Sequence, residues 1–213
     1  MIYWLYEYLL KRQINELPGH VCFMISGQDM ADAPANLFRI TSWCSEISKH
    51  VEKHVEKSHP PKNGGIHGIT FHIGAHDPGA MELCLPEIRK ISTIARLILH
   101  IGDEEEISGS GMDVVVAIGK SGKDEITDCI RKMAENHVSP SDVDEKMLES
   151  YLTFKYTPDV VVKSGGAHLT DFLIWQSVYS ELFFSDVNWK SLRKLDFLRV
   201  LRDYQSRIRR FGK

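Results

Sequence analysis

Short runs of β-branched residues alternate along this 213-residue chain with longer stretches of helical periodicity. Helical patterns lie at 37–57, 86–96, 124–137 and 142–151. Five runs between them have strand character, namely Val21–Ile25, Ile69–Ile73, Leu97–Ile101, Val114–Ile118 and Val160–Val162. This alternation predicts an α/β fold, with a mostly parallel central sheet flanked by helices in a single domain.

The two ends of the chain carry additional helical patterns. Residues 1–18 are predicted to form an N-terminal amphipathic helix, which packs against the body or contacts a membrane surface. Periodicity over 171–213 favours an amphipathic helix, a break near 185–190 and a second helix with a basic end. The stretch 102–111 contains four consecutive acidic residues and is predicted to be a solvated loop.

Charge and cysteine content limit the function classes. The net charge of −3 provides no general basic field, so nucleic acid is not expected as a partner. The four cysteines have no C-x-x-C spacing and are expected to be reduced core residues of a cytoplasmic protein. No apolar run approaches the ~20 residues that a spanning helix needs.

Two familiar motifs are incomplete in this sequence. Gly119-Lys120-Ser121 suggests a phosphate-binding loop, but Val114 stands where that loop needs a glycine. The turn after Val114–Ile118 is therefore either a plain connection or a functional polar loop at a strand end. His50 and His54 have zinc-ligand spacing, but no third ligand is placed with them.

The end of the chain carries the most informative pattern. Residues 172–184 read F-L-I-W-Q-S-V-Y-S-E-L-F-F, and 209–212 read R-R-F-G. Lys123-Asp124-Glu125-Ile126 and the pair Gly165-Gly166 lie upstream. Together these stretches resemble the cis-prenyltransferases, the undecaprenyl and dehydrodolichyl diphosphate synthases. The resemblance implies that family's fold, isoprenoid diphosphates as ligands, and elongation of an allylic diphosphate by isopentenyl diphosphate with the help of Mg²⁺.

The residues expected to handle diphosphate depart from the family pattern. Ser26 stands where the resemblance implies a magnesium-binding aspartate, followed by Gly27, and Asp29 replaces an expected basic residue. In the third family loop, two arginines are missing; Lys163, Gly165, Gly166 and His168 occupy the degenerate site. A lysine lacks the two-pronged donor of arginine, and histidine is mostly neutral at pH 7. We therefore expect no catalytic residue, no metal and no cofactor in this chain.

The retained tail has a different role in the resemblance. The family works as dimers, and an R-x-G near the C-terminus completes the neighbouring subunit's isopentenyl diphosphate site. Here that motif supplies Arg210 and Gly212, whose chemistry suits a phosphate. Interface positions are implied at Trp175, Tyr179, Glu181 and Phe183, within a dimerisation helix predicted to begin at residue 171. Glu181 organises that interface or is purely structural.

These departures resemble the accessory, Nogo-B receptor type of subunit in heteromeric enzymes. The chain alone is then expected to be inactive, and to pair with a catalytic cis-prenyltransferase subunit that holds the Mg²⁺. The complex, a heterodimer or heterotetramer, would make long-chain polyprenyl diphosphate for a glycosyl carrier lipid. The sequence does not decide whether the chain also forms a homodimer. It also does not decide whether this otherwise cytoplasmic protein makes peripheral contact with a membrane.

Two alternatives remain at the sequence level. One is a divergent but active prenyltransferase, in which Asp29 or Asp32 would replace the missing magnesium ligand. The other is a catalytically dead homologue that binds a lipid or acts as a scaffold.

Overall fold

The predicted sheet is present and is larger than expected. A computed structural model describes residues 2–54, 65–75, 78–102, 104–165 and 173–207 of the chain. It contains a seven-stranded sheet in the order β4-β3-β5-β2-β1-β6-β7, in which β4 alone is antiparallel to its neighbour. The strands are β1 His20–Ser26, β2 Gly68–Gly74, β3 Arg96–Ile101, β4 Glu104–Ser108, β5 Asp113–Ile118, β6 Val160–Ser164 and β7 Glu181–Ser185.

Helices cover both faces of this sheet, which confirms the predicted α/β fold. The α-helices are α1 Ile2–Gln13, α2 Gly27–Asp32, α3 Asn36–His54, α4 Leu85–Arg89, α5 Gly122–Glu135, α6 Glu145–Tyr151 and α7 Lys194–Ser206. Tighter 3₁₀ turns occur at Pro78–Cys84, Lys90–Thr93, Pro140–Asp142 and Trp189–Ser191. No helix within these described ranges is long and apolar enough to cross a bilayer.

The main core lies between the sheet and α1, α3, α4 and α7. An aromatic cluster fills its centre: Phe23 and Phe71 stack at 5.5 Å between ring centroids, and Phe197 lies 5.7 Å from Phe23. Trp189 is completely buried and meets both strand phenylalanines edge-on. Its indole N–H donates to the Ala33 carbonyl at 3.1 Å, so the chain after α2 is tied to the segment before α7.

The opposite face of the sheet is covered by α5, α6 and the connection after α6. Ile98, Val115 and Ala117 contribute a small core there with Phe154 and Leu173. A buried carboxylate fixes the connection: Glu125 Oε1 of α5 accepts from the backbone N–H groups of residues 153 and 154, at 2.6 and 2.9 Å.

Some element predictions were wrong in detail. The acidic stretch forms β4, an edge strand whose glutamates face outward and discourage edge pairing with other chains. The helix expected over 86–96 is short: α4 ends at Arg89, a 3₁₀ turn follows at Lys90–Thr93, and β3 begins at Arg96. The dimerisation helix expected from residue 171 is absent from residues 173–185, which form turns followed by strand β7. Only α7 in this region is helical, within the described residues up to 207.

Candidate functional site

The carboxyl ends of β1, β2 and β6 meet at one edge of the sheet. The chain runs from β1 outward through β2, then returns to place β6 on the other side of β1. Open α/β sheets bind ligands at such a switch of strand order, beyond the carboxyl ends. Ser26 pairs with Gly74 of β2, and Met24 pairs with Lys163 of β6. The degenerate positions at residues 26, 27, 163 and 165 therefore lie together at this edge.

Ser26 ends β1 and at the same time caps α2. Its Oγ accepts from the Asp29 backbone N–H at 3.1 Å and donates to Asp29 Oδ2 at 2.7 Å. Its extended backbone, with φ −73° and ψ 153°, is that of an N-cap residue. The hydroxyl is thus used in starting a helix, and the nearest carboxylate is held against it.

Gly27 keeps this turn close to the neighbouring strand end. A Cβ built at Gly27 would lie 3.2 Å from the Gly74 carbonyl oxygen and 3.5 Å from the Ala75 Cβ. The first contact is tighter than nine in ten real Cβ contacts, so a side chain at residue 27 would require the Gly74 backbone to shift by a few tenths of an ångström. The glycine therefore fixes how closely the two loops approach.

The end of β6 supplies a lysine, a buried hydroxyl and a glycine. Lys163 Nζ donates to the Ser164 carbonyl at 3.0 Å, and Ser164 Oγ is buried without a hydrogen-bond partner among the described residues. Gly165 has φ +73°, a conformation that favours glycine, and its N–H donates to the Ser185 carbonyl at 3.2 Å. The remaining predicted positions of this loop, Gly166 and His168, lie outside the described residues.

The turn after β5 is satisfied by its own side chains. Ser121 and Asp124 form a capping box at the start of α5, and the hydrogen bond from Ser121 holds the pKa of Asp124 below its usual value. Lys120 is largely buried and its Nζ lies 3.2 Å from Asp128 Oδ2. The Lys120 carbonyl accepts from His72 Nε2 at 2.6 Å. These contacts favour a structural turn over a phosphate-binding loop.

The donors at the end of β1 do not fit a magnesium ion. Mg²⁺ prefers carboxylate oxygens in near-octahedral geometry. Ser26 offers a neutral hydroxyl. The adjacent carboxylate, Asp29, already accepts a hydrogen bond from that hydroxyl. The other carboxylate of α2, Asp32, accepts from the Gln28 side chain at 2.8 Å. No step of chemistry is therefore assigned to a metal held by these residues.

The four predicted interface residues lie just before β7 and on it; Phe183 packs against the main core and Trp175 against the cluster of α5 and α6. Trp175 and Tyr179 lie in the turns before β7, whereas Glu181 and Phe183 lie on β7 itself. Tyr179 is 60% exposed, and Trp175 is half-buried with its indole N–H 3.5 Å from Glu149 Oε1. Other apolar side chains are exposed nearby, namely Ile174, Val178 and Phe184. Strand β7 is an edge strand, so one side of its backbone is not paired within the sheet.

Glu181 also connects β7 to the end of α7. Arg207 Nη1 lies 3.1 Å from Glu181 Oε2 and donates to the Leu182 carbonyl at 3.1 Å. Asp203 holds the same guanidinium at 2.7 Å, and both carboxylates raise the pKa of Arg207 against the opposing effect of burial. The chain therefore reaches Arg207 beside the edge strand. The predicted tail residues Arg210 and Gly212 lie outside the described residues.

Sequence reasoning missed β7 and the capping role of Ser26. The run Glu181-Leu182-Phe183-Phe184-Ser185 has the aromatic content of a strand, but helical spacing in the preceding residues obscured it. The Ser26-x-x-Asp29 spacing matches an N-cap followed by an acidic residue, a signal that could have been used.

The protein is of the α/β class, with a mostly parallel sheet. Its candidate site lies in the loops at the carboxyl ends of β1 and β6, where the strand order switches direction. The family model for putative undecaprenyl diphosphate synthases matches residues 89–212, more than half of the chain. The chain belongs to that family.

Individual relatives agree with this assignment. The isoprenyl transferase of Thermus thermophilus is 29% identical, over all of this chain and 96% of that protein. A tritrans,polycis-undecaprenyl-diphosphate synthase (geranylgeranyl-diphosphate specific) from Picrophilus torridus is 45% identical over 104 residues. That match covers 46% of this chain and 41% of the relative, so it spans about two fifths of the relative's length.

Solved structures support the fold. A probable undecaprenyl diphosphate synthase from Campylobacter jejuni has a TM-score of 0.66 at 20% identity, covering 93% of this chain and all of that one. The lavandulyl diphosphate synthase of Lavandula x intermedia, solved with dimethylallyl diphosphate, has a TM-score of 0.65 at 18% identity. It covers 92% of this chain and 99% of that one.

Proposed function

We propose that this chain is a non-catalytic accessory subunit of a heteromeric cis-prenyltransferase. The observation that carries the proposal is the pair of hydrogen bonds between Ser26 and Asp29 at the end of β1. A serine committed to capping stands where the family resemblance implies a metal-binding aspartate. The catalytic aspartate and its Mg²⁺ are then supplied by a partner subunit.

Local charge supports the same proposal. The first turn of α2 carries Asp29, and its carboxylate lies at the helix N-terminus where a diphosphate would otherwise be attracted. Two negative groups at that position repel each other. Lys163, the cation on the neighbouring strand, directs its ammonium to a carbonyl of its own chain at 3.0 Å. This site is therefore a poor receptor for an allylic diphosphate.

The edge around β7 supports a role in pairing. Val178, Tyr179 and Phe184 are 62%, 60% and 43% exposed, and they lie beside an unpaired strand edge. Exposed apolar groups gathered at one place are typical of protein–protein interfaces. The proposed occupant is a catalytic cis-prenyltransferase subunit, in a heterodimer or heterotetramer.

The contacts of Arg207 support a function for the tail. The guanidinium is fixed to Glu181 on β7, so residues 208–213 start from the proposed interface. From there, Arg210 and Gly212 would bind isopentenyl diphosphate in the partner's site. The complex would make long-chain polyprenyl diphosphate, a precursor of glycosyl carrier lipid.

The test compares the chain, a family member that has the aspartate, and the mixture of the two. Condensation of isopentenyl diphosphate with farnesyl or geranylgeranyl diphosphate is expected to be absent with this chain alone and highest in the mixture. Arg210→Ala should lower the activity of the mixture by at least about tenfold, because a charge-assisted phosphate contact contributes about 1.5–3 kcal/mol. Size-exclusion chromatography should show the complex unchanged.

Arg131→Ala is the matched control, since Arg131 is an exposed arginine of α5 at a distance from β7. Elongation by the chain alone would overturn the proposal in favour of a divergent active enzyme. A mixture no more active than the catalytic protein by itself would instead favour the lipid-binding or scaffold alternative.

A further inference from the structure

Helix α1 is apolar on two sides and buries one of them. Leu10 is buried in the main core, as is Ile14 just beyond the helix. Five other apolar side chains of α1 are exposed, and Tyr6, at 37%, lies on the side nearer Leu10. The remaining four are Trp4 (70%), Leu5 (52%), Tyr8 (44%) and Leu9 (47%). At 3.6 residues per turn, these four positions cover roughly 140° of the helix, on the side away from Leu10. We call these four residues the α1 outer face.

Aromatic rings and arginines are combined on and beside this face. Trp4 and Tyr8 stack with their centroids 6.0 Å apart, and the Arg12 guanidinium lies 5.8 Å from the Tyr8 centroid. Arg199 of the adjacent helix α7 lies 5.7 Å from the centroid of Tyr6. Cations over aromatic faces keep their charge while part of the hydration is replaced by the ring. The apolar face is therefore bordered by two positive groups.

The carboxylates near α1 are neutralised within the protein. Glu7 lies 3.2 Å from Lys194 Nζ, and Glu46 lies 2.6 Å from both Lys194 Nζ and Lys11 Nζ. Arg199 is itself 3.3 Å from Asp196, which also pairs with Arg193, so these groups together include more cations than carboxylates. The surface is thus complementary to a partner that is apolar where it meets the α1 outer face and carries anionic groups around that contact.

We propose that the α1 outer face docks onto a bilayer that contains anionic phospholipids. Tryptophan and tyrosine favour the boundary between headgroups and acyl chains, because their rings are apolar with a polar edge. Leu5 and Leu9 would enter the acyl region, while Arg12 and Arg199 bind lipid phosphates. A protein partner would have to bury Arg12 at the C-terminal end of the apolar patch, whereas in a bilayer that long side chain reaches the headgroup phosphates.

The test measures co-sedimentation of the full chain with vesicles. Binding is expected to vesicles of phosphatidylcholine mixed with phosphatidylglycerol, and to weaken with phosphatidylcholine alone or with added salt. The double variant Leu5→Gln and Leu9→Gln should bind at least about tenfold more weakly, because two leucine side chains no longer enter the acyl region. Arg12→Gln should weaken binding by about fivefold, corresponding to one phosphate contact.

Two control variants distinguish binding through the α1 outer face from non-specific adsorption to vesicles. Leu83 is 92% exposed on a different segment, so Leu83→Gln should bind the vesicles like the unchanged chain. Arg131→Gln removes an exposed arginine of α5 and should also have no effect. Glutamine is a good helix former, and circular dichroism will report whether α1 persists in the variants.

The proposal is overturned if the chain does not bind the mixed vesicles, or if the α1 variants bind as well as the controls. It is also overturned if the α1 variants lose self-association or pairing with another protein while vesicle binding persists. The residues involved are not those of the proposed function. Loss of vesicle binding and loss of stimulation of a catalytic partner are therefore separate results.

Discussion

Replacing Ser26 by aspartate tests whether the end of β1 is a helix cap or a damaged catalytic site. Ser26 Oγ lies 2.7 Å from Asp29 Oδ2, so an aspartate at 26 would place two carboxylates about 4 Å apart. Their repulsion is about 1 kcal/mol in water and about 4 kcal/mol at an effective dielectric constant of 20. Residue 26 is exposed and Asp29 is half-buried, so the lower end of this range applies.

The matched control is Ser26→Asn. Asparagine caps helices as well as aspartate does, and its amide N–H can still donate to the carboxylate of residue 29. We expect Ser26→Asp to be about 1–2 kcal/mol less stable than Ser26→Asn at pH 7 and low salt, as measured by urea unfolding. Repulsion makes the folded pair bind a proton more tightly than an unfolded aspartate. The difference should therefore vanish near pH 3 and grow as the pH rises through about 4–5.

Added magnesium should restore some stability to Ser26→Asp, since two adjacent carboxylates are better ligands than a hydroxyl and one carboxylate. The variant alone should still not condense isopentenyl diphosphate, because the two arginines missing around Lys163 are not replaced. Equal stability of the two variants at every pH would refute the contact between residues 26 and 29. Activity in Ser26→Asp alone would refute the expectation that the missing arginines also prevent condensation.

Two further predictions concern a buried histidine and the proposed tail anchor. Burial lowers the pKa of His20 to about 4, against the opposing charge of Asp159, so the unfolded chain binds a proton there before the folded one does. Protonation of His20 should therefore lower the free energy of unfolding by about 3 kcal/mol as the pH drops from 6.5 to 4. Urea unfolding of His20→Gln should show a correspondingly shallower dependence of this free energy on pH. Identical slopes for the two proteins would contradict the lowered pKa of His20. Glu181→Gln should cost no more than about 1 kcal/mol of stability, because its ion pair with Arg207 is partly exposed. The variant should nevertheless raise the KM of a catalytic partner for isopentenyl diphosphate. An unchanged KM in the mixed assay would show that Arg207 does not position the tail.

The inner part of the fold could be predicted from sequence because its strands are buried on both faces. β1 and β5 have continuous apolar runs, and β2 is interrupted only by Thr70 and His72; such runs have few interpretations other than a central parallel strand. The two edge strands could not be predicted in the same way. β4 has glutamates that a pattern analysis assigns to a loop, and β7 follows residues with helical spacing. Strand pairing with a distant segment decides both cases, and local periodicity does not contain that information.

Four positions predicted for the site lie at neighbouring strand ends, but their contacts could not be predicted. Ser26, Gly27, Lys163 and Gly165 were expected together and lie at neighbouring strand ends. Their sequence neighbours did not show that the serine hydroxyl bonds to Asp29, or that the lysine bonds to a carbonyl of its own strand. Those contacts depend on side-chain geometry at a strand–helix turn, which spacing constrains only loosely.

The N-terminus of α2 gives one physical reason for the proposed loss of catalysis, and α5 begins with the same kind of cap although its Asp124 belongs to the stretch that resembles the family. A helix N-terminus binds phosphate when its first backbone N–H groups and positive dipole end face the ligand. At α2 the Asp29 N–H donates to Ser26 Oγ, and at α5 the Asp124 N–H donates to Ser121 Oγ. In both cases an aspartate of the first turn also accepts from the capping serine. To accept from these N–H groups, a diphosphate would have to displace both the serine oxygen and the carboxylate. The negative carboxylate would reduce the attraction between the helix N-terminus and the diphosphate. Such serine caps stabilise the helices that they start by about 1 kcal/mol each, so α2 and α5 do not need a bound substrate to satisfy these N–H groups.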